Sequence, residues 1–164
     1  MEEPRYLGPH SREERVSSEL ASGLALAGIV DRIDIATDGR IRLVDYKTGR
    51  SVNPLYEDKA LFQMKFYALV IWRTRGVIPA LLQLMYLGDG SFLTYDPDEQ
   101  ELLATERKVV ALWDAIAQAI KLRDFPARKS GLCRWCAHQN ICPEWGGVPP
   151  EMPLLQIVRA DAVA

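Results

Sequence analysis

Two short stretches decide how this chain is read: Gly28-Ile29-Val30-Asp31-Arg32-Ile33-Asp34 and, nine residues on, Leu43-Val44-Asp45-Tyr46-Lys47-Thr48-Gly49. The first lies in a run from Leu24 to Thr37 rich in Ile, Val and Leu, without a helical stripe, which predicts a strand. Asp38-Gly39 is a turn signal, and Arg40 to Lys47 alternates, with Ile41, Leu43 and Asp45 on one face and Arg42, Val44 and Tyr46 on the other. A hairpin follows, and its loop length fixes which side chains share a face. A two-residue Asp38-Gly39 loop would put Asp31 and Asp45 on opposite sides. A three-residue loop over Thr37-Asp38-Gly39 would set them directly opposite, with Gly39 at the left-handed position of a G1 bulge. An odd loop or a bulge is therefore expected.

The chemistry asks for that arrangement. Asp45 and Lys47 are two apart in a strand and project from one face. Charged groups at the end of an apolar strand are costly unless paired or bound to metal. Two carboxylates hold a hard divalent cation through oxygen, the cation polarises a phosphate and acidifies water, and a lysine steadies the attacking water or the developing charge. A backbone carbonyl of Val44 or Tyr46 would add an oxygen ligand. Read alone, Asp45-x-Lys47 is a solvated salt bridge at a strand end, since short motifs match by chance, and Asp34 is equally a salt-bridge partner of Arg32.

Working outward, residues 1–12 read as an irregular lead-in and 13–19 as a short strand. Thr48 to Pro54 reads as loop. Glu57 to Thr74 reads as a helix burying Phe62, Phe66, Leu69 and Val70, ended by Gly76 and Pro79. Ala80–Leu87 and Ser91–Tyr95 read as strands around a Gly88–Gly90 turn. A second helix starts at Asp96-Pro97-Asp98-Glu99, with Asp96 as N-cap, Pro97 in the first turn and Glu99 in the reciprocal position. Its stripe is Leu102, Val109, Trp113, Ile116 and Ile120. Strand, hairpin, helix, two strands, helix predicts an α/β fold with a mixed central sheet flanked by helices. The expected organisation is one domain over 1–147, with a Cys-rich segment at 126–147 and a flexible tail at 148–164.

The two opening stretches resemble the core of RecB-type nucleases of the PD-(D/E)XK superfamily, which carry a glycine and aspartate on one strand and aspartate-x-lysine on the next. Gln63-Met64-Lys65-Phe66-Tyr67 matches that family's Q-x-x-x-Y element, and Gln63 and Tyr67, four apart, share a helix face. The resemblance spans Gly28 to Cys142. It implies a restriction-endonuclease-like core, with Asp31 and Asp45 holding Mg²⁺ or Mn²⁺, Lys47 assisting the attack, and Gln63 and Tyr67 supporting the site. It implies a metal-dependent DNA nuclease, exonuclease-like, in recombination or repair, acting on single- or double-stranded DNA with a helicase or other repair proteins as partners. The alternative is a catalytically silent DNA-binding or scaffolding module, or an inactive fragment of a longer nuclease.

The three cysteines, Cys133, Cys136 and Cys142, are clustered and odd in number, a poor disulfide framework. Their C-x2-C-x5-C spacing resembles the C-terminal part of the iron–sulfur motif of many RecB-type nucleases, in which an earlier cysteine completes a [4Fe–4S] cluster. No cysteine precedes Cys133, and His10, the one histidine before the core, lies in no matching motif. The cluster is therefore expected in a longer parent protein and incomplete here, with zinc on Cys133, Cys136, His138 and Cys142 as the alternative. The formal net charge of −2 gives no global basic footprint. DNA contact is assigned to a local stretch, Lys121, Arg123, Arg128, Lys129 and Arg134, with Lys65, Arg73 and Arg75 as a weaker second patch. No apolar run is long enough for a membrane helix and the N-terminus is acidic and polar, so a cytoplasmic protein is expected.

Overall fold

The computed structural model describes residues 8–51, 54–151 and 153, and only the backbone of 54–58. The expected flexible tail beyond 153 and the first seven residues of the lead-in lie outside the described residues. The chain forms two compact units, 1–110 and 111–164, with the second helix running across the boundary.

The first unit is built on a five-stranded mixed sheet whose spatial order follows the chain: β1 (Ser11–Glu19), β2 (Ala25–Ile35), β3 (Ile41–Lys47), β4 (Leu81–Tyr86) and β5 (Ser91–Tyr95). All neighbours are antiparallel except β3 and β4, which are parallel. A parallel pair needs a crossover, and α1 (Pro54–Arg75) supplies it. The helix begins three residues earlier than expected, because Pro54 suits a first turn, where its missing N–H costs nothing. β1 likewise starts at Ser11, inside the expected lead-in.

α1 buries Met64, Ala68, Leu69, Val70 and Ile71 against the sheet, where they join Val16, Leu26, Val30, Ile33, Leu43, Leu82 and Leu84 in one apolar cluster. Phe62 and Phe66, expected on its buried side, are only partly covered. α2 (Glu99–Leu122) contributes Leu102 to the cluster. Its cap is Asp98, whose Oδ1 accepts the Glu101 N–H at 2.8 Å, not Asp96. Asp98 and Glu101 have the three-residue spacing that cap geometry requires, and Pro97 stays outside the helix. The outer half of the expected stripe is less buried than its pattern implied: Ile116 is 45% exposed.

The opposite face of the sheet is also buried, and it holds charge. Asp34 accepts from Arg32 Nε at 2.8 Å and Arg42 Nε at 2.9 Å. Arg32 also reaches the Tyr46 hydroxyl at 3.4 Å. Arg42 faces Asp34 directly across the β2–β3 ladder.

The lone irregularity of the β1–β2 ladder falls at one level. Pairing runs Ser11↔Ile33, Arg12↔Arg32, then Glu14↔Val30, omitting Glu13 and Asp31. Glu13 has φ 48°. Val30 and Ile33, an odd number apart, both enter the apolar cluster, so strict alternation breaks between them. Such local breaks re-aim a side chain, and this one is centred on Asp31.

Candidate active site

The β2–β3 hairpin has the odd loop. Ala36 N–H donates to the Arg40 carbonyl at 2.9 Å, leaving Thr37, Asp38 and Gly39 as the loop. Gly39 takes φ 86°, a conformation costly for residues with a Cβ. Asp38 fastens the turn, accepting Arg40 N–H at 3.1 Å and Arg40 Nε at 2.7 Å. The Arg40 N–H, first, and its guanidinium hold the Asp38 carboxyl below the usual range.

From this loop the ladder runs Ile35↔Ile41, Asp34↔Arg42, Ile33↔Leu43 and Arg32↔Val44. One further step in that register sets Asp31 opposite Asp45. Regular pairing ends there. The next hydrogen-bonded pair would deliver the Tyr46 N–H to the Val30 carbonyl. Instead that N–H donates to Asp31 Oδ2 at 2.9 Å. A carboxylate therefore replaces a carbonyl in the ladder. This fixes the Asp31 side chain and leaves its second oxygen outside that bond.

Asp45 is 4% exposed. Burial pushes its carboxyl above the usual range; Lys47 opposes the shift and the charge of Asp31 adds to it. Lys47 Nζ lies 2.7 Å from Asp45 Oδ2. That contact sets the ammonium directly against the buried carboxylate. Lys47 donates to Gln63 Oε1 at 2.9 Å, and Gln63 Nε2 donates to the Tyr67 hydroxyl at 3.0 Å. Gln63 and Tyr67 are one turn apart on α1. The crossover thus brings a helix face onto the end of β3 and forms the line Asp45–Lys47–Gln63–Tyr67.

Gly28 explains why Tyr67 can stand where it does. A Cβ at position 28 would lie 2.7 Å from Tyr67 Cε1 and 3.3 Å from Cδ1, so the ring occupies the space that a side chain would take.

A hard divalent cation fits this constellation. Two carboxylates lie close enough for the charge of Asp31 to raise the pKa of Asp45, which is buried and paired with Lys47, and Mg²⁺ commonly uses one or two protein carboxylates and takes its remaining ligands from substrate and solvent. Asp31 and Asp45 would hold it. Asp34 would not: both of its oxygens are committed to arginines on the other face.

The second unit is organised differently. α2 ends with Arg123 at φ 55°, where Arg123 N–H donates to the Ile120 carbonyl and Asp124 N–H to the Ala119 carbonyl. This closes the helix as a Schellman motif with an arginine in the usual glycine place. Beyond it, short 3-10 turns span Gly131–Trp135, Gln139–Ile141 and Pro143–Trp145, where irregular chain was expected. Cys133 Sγ accepts the Ser130 N–H at 3.2 Å and Cys136 Sγ the His138 N–H at 3.4 Å. Among the described residues no three His, Cys, Asp or Glu side chains converge as a metal-binding group. Three thiols without a fourth do not fit a [4Fe–4S] cluster, and His138 does not gather with them into a zinc set.

Lys121, Arg123, Arg128, Lys129 and Arg134 are all exposed. Lys129 Nζ stands 5.2 Å from the centre of the Trp145 ring, and Arg123 is 3.9 Å from Glu151. The second basic patch is not a free one. Lys65 pairs with Glu101 at 3.5 Å, Arg73 with Glu106 at 2.6 Å and Arg75 with Glu14 at 2.5 Å, because acids of α2 and β1 face α1. Sequence reading also missed Asp89. Its sequence context signals only a turn, and the Ser51 that reaches it lies 38 residues earlier.

No helix among the described residues is long and apolar enough to cross a membrane. No curated protein matches the chain. Among solved structures, the crystal structure of SSO0001 is similar at 18% identity and a TM-score of 0.46, over 82% of this chain. The chain spans 60% of the length of that protein. The family model of the PD-(D/E)XK nuclease superfamily matches residues 2–143. The mixed five-stranded sheet with its helices agrees with that match, and the chain belongs to the PD-(D/E)XK nuclease superfamily.

Proposed function

We propose that the chain is the catalytic part of a RecB-type, divalent-metal-dependent deoxyribonuclease, exonuclease-like, that serves DNA recombination or repair. The observation that carries the reading is the β2–β3 register, which opposes Asp31 to Asp45 one step beyond Arg32↔Val44. The contact of Gln63 with Lys47 supports the RecB assignment, because it gives the Q-x-x-x-Y residues a role at the strand end.

A bound Mg²⁺ or Mn²⁺ supplies Lewis acidity toward a phosphate oxygen and toward the attacking water. The chain's residues do the rest. Asp31, oriented by the Tyr46 N–H, and Asp45 would hold the cation. Lys47 has one N–H committed to Gln63 and its charge set against Asp45, leaving a donor for water or for a non-bridging phosphate oxygen. Tyr67 fixes the Gln63 amide with its oxygen toward Lys47. Gln63 and Tyr67 are thus positioning residues. The exposed cations Lys121, Arg123, Arg128, Lys129 and Arg134 would bind DNA phosphates. We assign residues 1–147 to the nuclease core with its Cys-rich segment, and the protein to the cytoplasm with repair proteins as partners.

End-labelled single- and double-stranded DNA, incubated with Mg²⁺ or Mn²⁺ and with EDTA, tests the reading. Mononucleotide release that requires the metal supports it. DNA binding without cleavage would make the chain a silent module instead.

A further inference from the structure

We propose that Arg50 is a substrate-phosphate anchor at the rim of the active site, held in place by a clamp centred on Asp89. The inference rests on the nuclease reading and adds to it a binding residue with its support.

Asp89 is an exposed carboxylate in the β4–β5 turn, yet it accepts four hydrogen bonds. Ser51 N–H and Oγ donate to Oδ2 at 2.9 and 2.8 Å, and Ser91 N–H and Oγ donate to Oδ1 at 3.1 and 2.7 Å. The Ser91 hydroxyl, followed by Ser51, holds the carboxyl far below its usual range, so the clamp stays ionised wherever DNA is handled. The backbone continues the attachment. Leu87 N–H donates to the Lys47 carbonyl at 2.8 Å and Gly88 N–H to the Gly49 carbonyl at 3.0 Å. A Cβ at Gly88 would lie 2.8 Å from the Gly49 carbonyl and 3.0 Å from Arg50 N, so the two segments touch through glycine.

The chain leaving Lys47 is therefore pinned at Lys47, Gly49 and Ser51, and Arg50 is the residue between the last two pins. Its side chain is exposed. Among the described residues no carboxylate pairs with it, as none does with the exposed Arg12, Arg15 and Arg107; what sets Arg50 apart is its place between two pinned residues on the segment that leaves Lys47. Three residues of chain span at most about 10 Å, so the Cα of Arg50 lies within that distance of the Cα of Lys47. Phosphates recur along a strand at about 3.4 Å of helical rise. A guanidinium at that remove from the reacting phosphate is placed for a neighbouring one, which it can grip with two N–H groups. Fixing the loop beforehand lowers the ordering cost of that contact.

The test uses the full chain, a fluorescein-labelled single-stranded oligonucleotide and its duplex. Arg50→Ala should raise KM about 3- to 10-fold with kcat within about 2-fold. In EDTA, where binding is read without cleavage, it should flatten the plot of log affinity against log salt by about 0.7 for the single strand and 0.9 for the duplex. Arg50→Lys should restore the salt slope and only part of KM. Asp89→Ala keeps the cation, so the salt slope should stay while KM rises and amide exchange at 49–51 quickens. Unchanged KM and salt slope in Arg50→Ala, or a lost kcat at constant KM, overturns the anchor. Unchanged exchange and KM in Asp89→Ala overturns the clamp. A wild-type chain that binds DNA but never cuts it contradicts the nuclease reading alone, because the binding arm still decides on Arg50.

Discussion

The two units of this chain place their distinctive residues by opposite means. In the first, every residue of the candidate site is fixed by something larger than itself: Asp31 and Asp45 by a strand register, Lys47 by a helix that crosses over the sheet, Tyr67 by the space above Gly28. In the second, the cysteines sit on short 3-10 turns held by local bonds, and apolar side chains stand in solvent, with Leu132 78% and Trp135 85% exposed. Short motifs acquire geometry from long-range pairing and burial. A motif on local turns keeps its spacing but gains no convergence.

The largest effect should break the first unit's chemistry without its fold. Asp31→Ala, Asp45→Ala and Lys47→Ala should each lower cleavage by at least ~100-fold, with an unchanged circular dichroism spectrum; brisk cleavage by Asp45→Ala would remove that residue from the site. Asp34→Ala should do the reverse. It leaves Arg32 and Arg42 buried without their shared carboxylate, at a cost of about 3–5 kcal/mol, read by urea denaturation, while the metal ligands remain. Gly28→Ala should cost about 1–3 kcal/mol, as overpacking does, and should slow cleavage by moving Tyr67 and so Gln63. A milder signature lies in pH. The Asp45 carboxyl is raised, so its contribution to stability is complete below the unfolded value and is lost as pH rises through the folded one. Melting in EDTA should therefore weaken over that rise, and Mn²⁺ should reverse the loss. The smallest effects belong to the second unit. Trp135→Ala and Cys136→Ser should change stability by less than about 0.5 kcal/mol, and anaerobically purified protein should contain no stoichiometric iron or sulfide.

Much of the first unit was legible because its signals are periodic. Alternation from Ile41 to Lys47, joined to the demand that Asp31 and Asp45 share a face, called for an odd loop or a bulge, and the loop is Thr37–Gly39. What escaped has no periodic signal. The Asp98 cap competed with Asp96 two residues away, and only the position of the first helical turn separates them. Arg42 reads as an outward charge on an alternating strand, yet it is buried against Asp34, because both faces of β3 are covered. The cations Lys65, Arg73 and Arg75 of α1 look like a patch until the acids of α2 and β1 are placed beside them. Asp89 and Ser51 meet only because β3 and β4 are parallel neighbours. In the second unit the spacing of the cysteines was plain, but spacing alone does not bring sulfurs together.

The central claim is that Asp31 and Asp45 share one cation. Mn²⁺ titrated into the wild-type chain, Asp31→Asn and Asp45→Asn, followed by electron paramagnetic resonance alongside DNA cleavage, tests it most directly. The account predicts about one bound Mn²⁺ in the wild type, lost in both variants together with cleavage. Equal Mn²⁺ binding by Asp45→Asn, or wild-type cleavage that persists in EDTA, would contradict it.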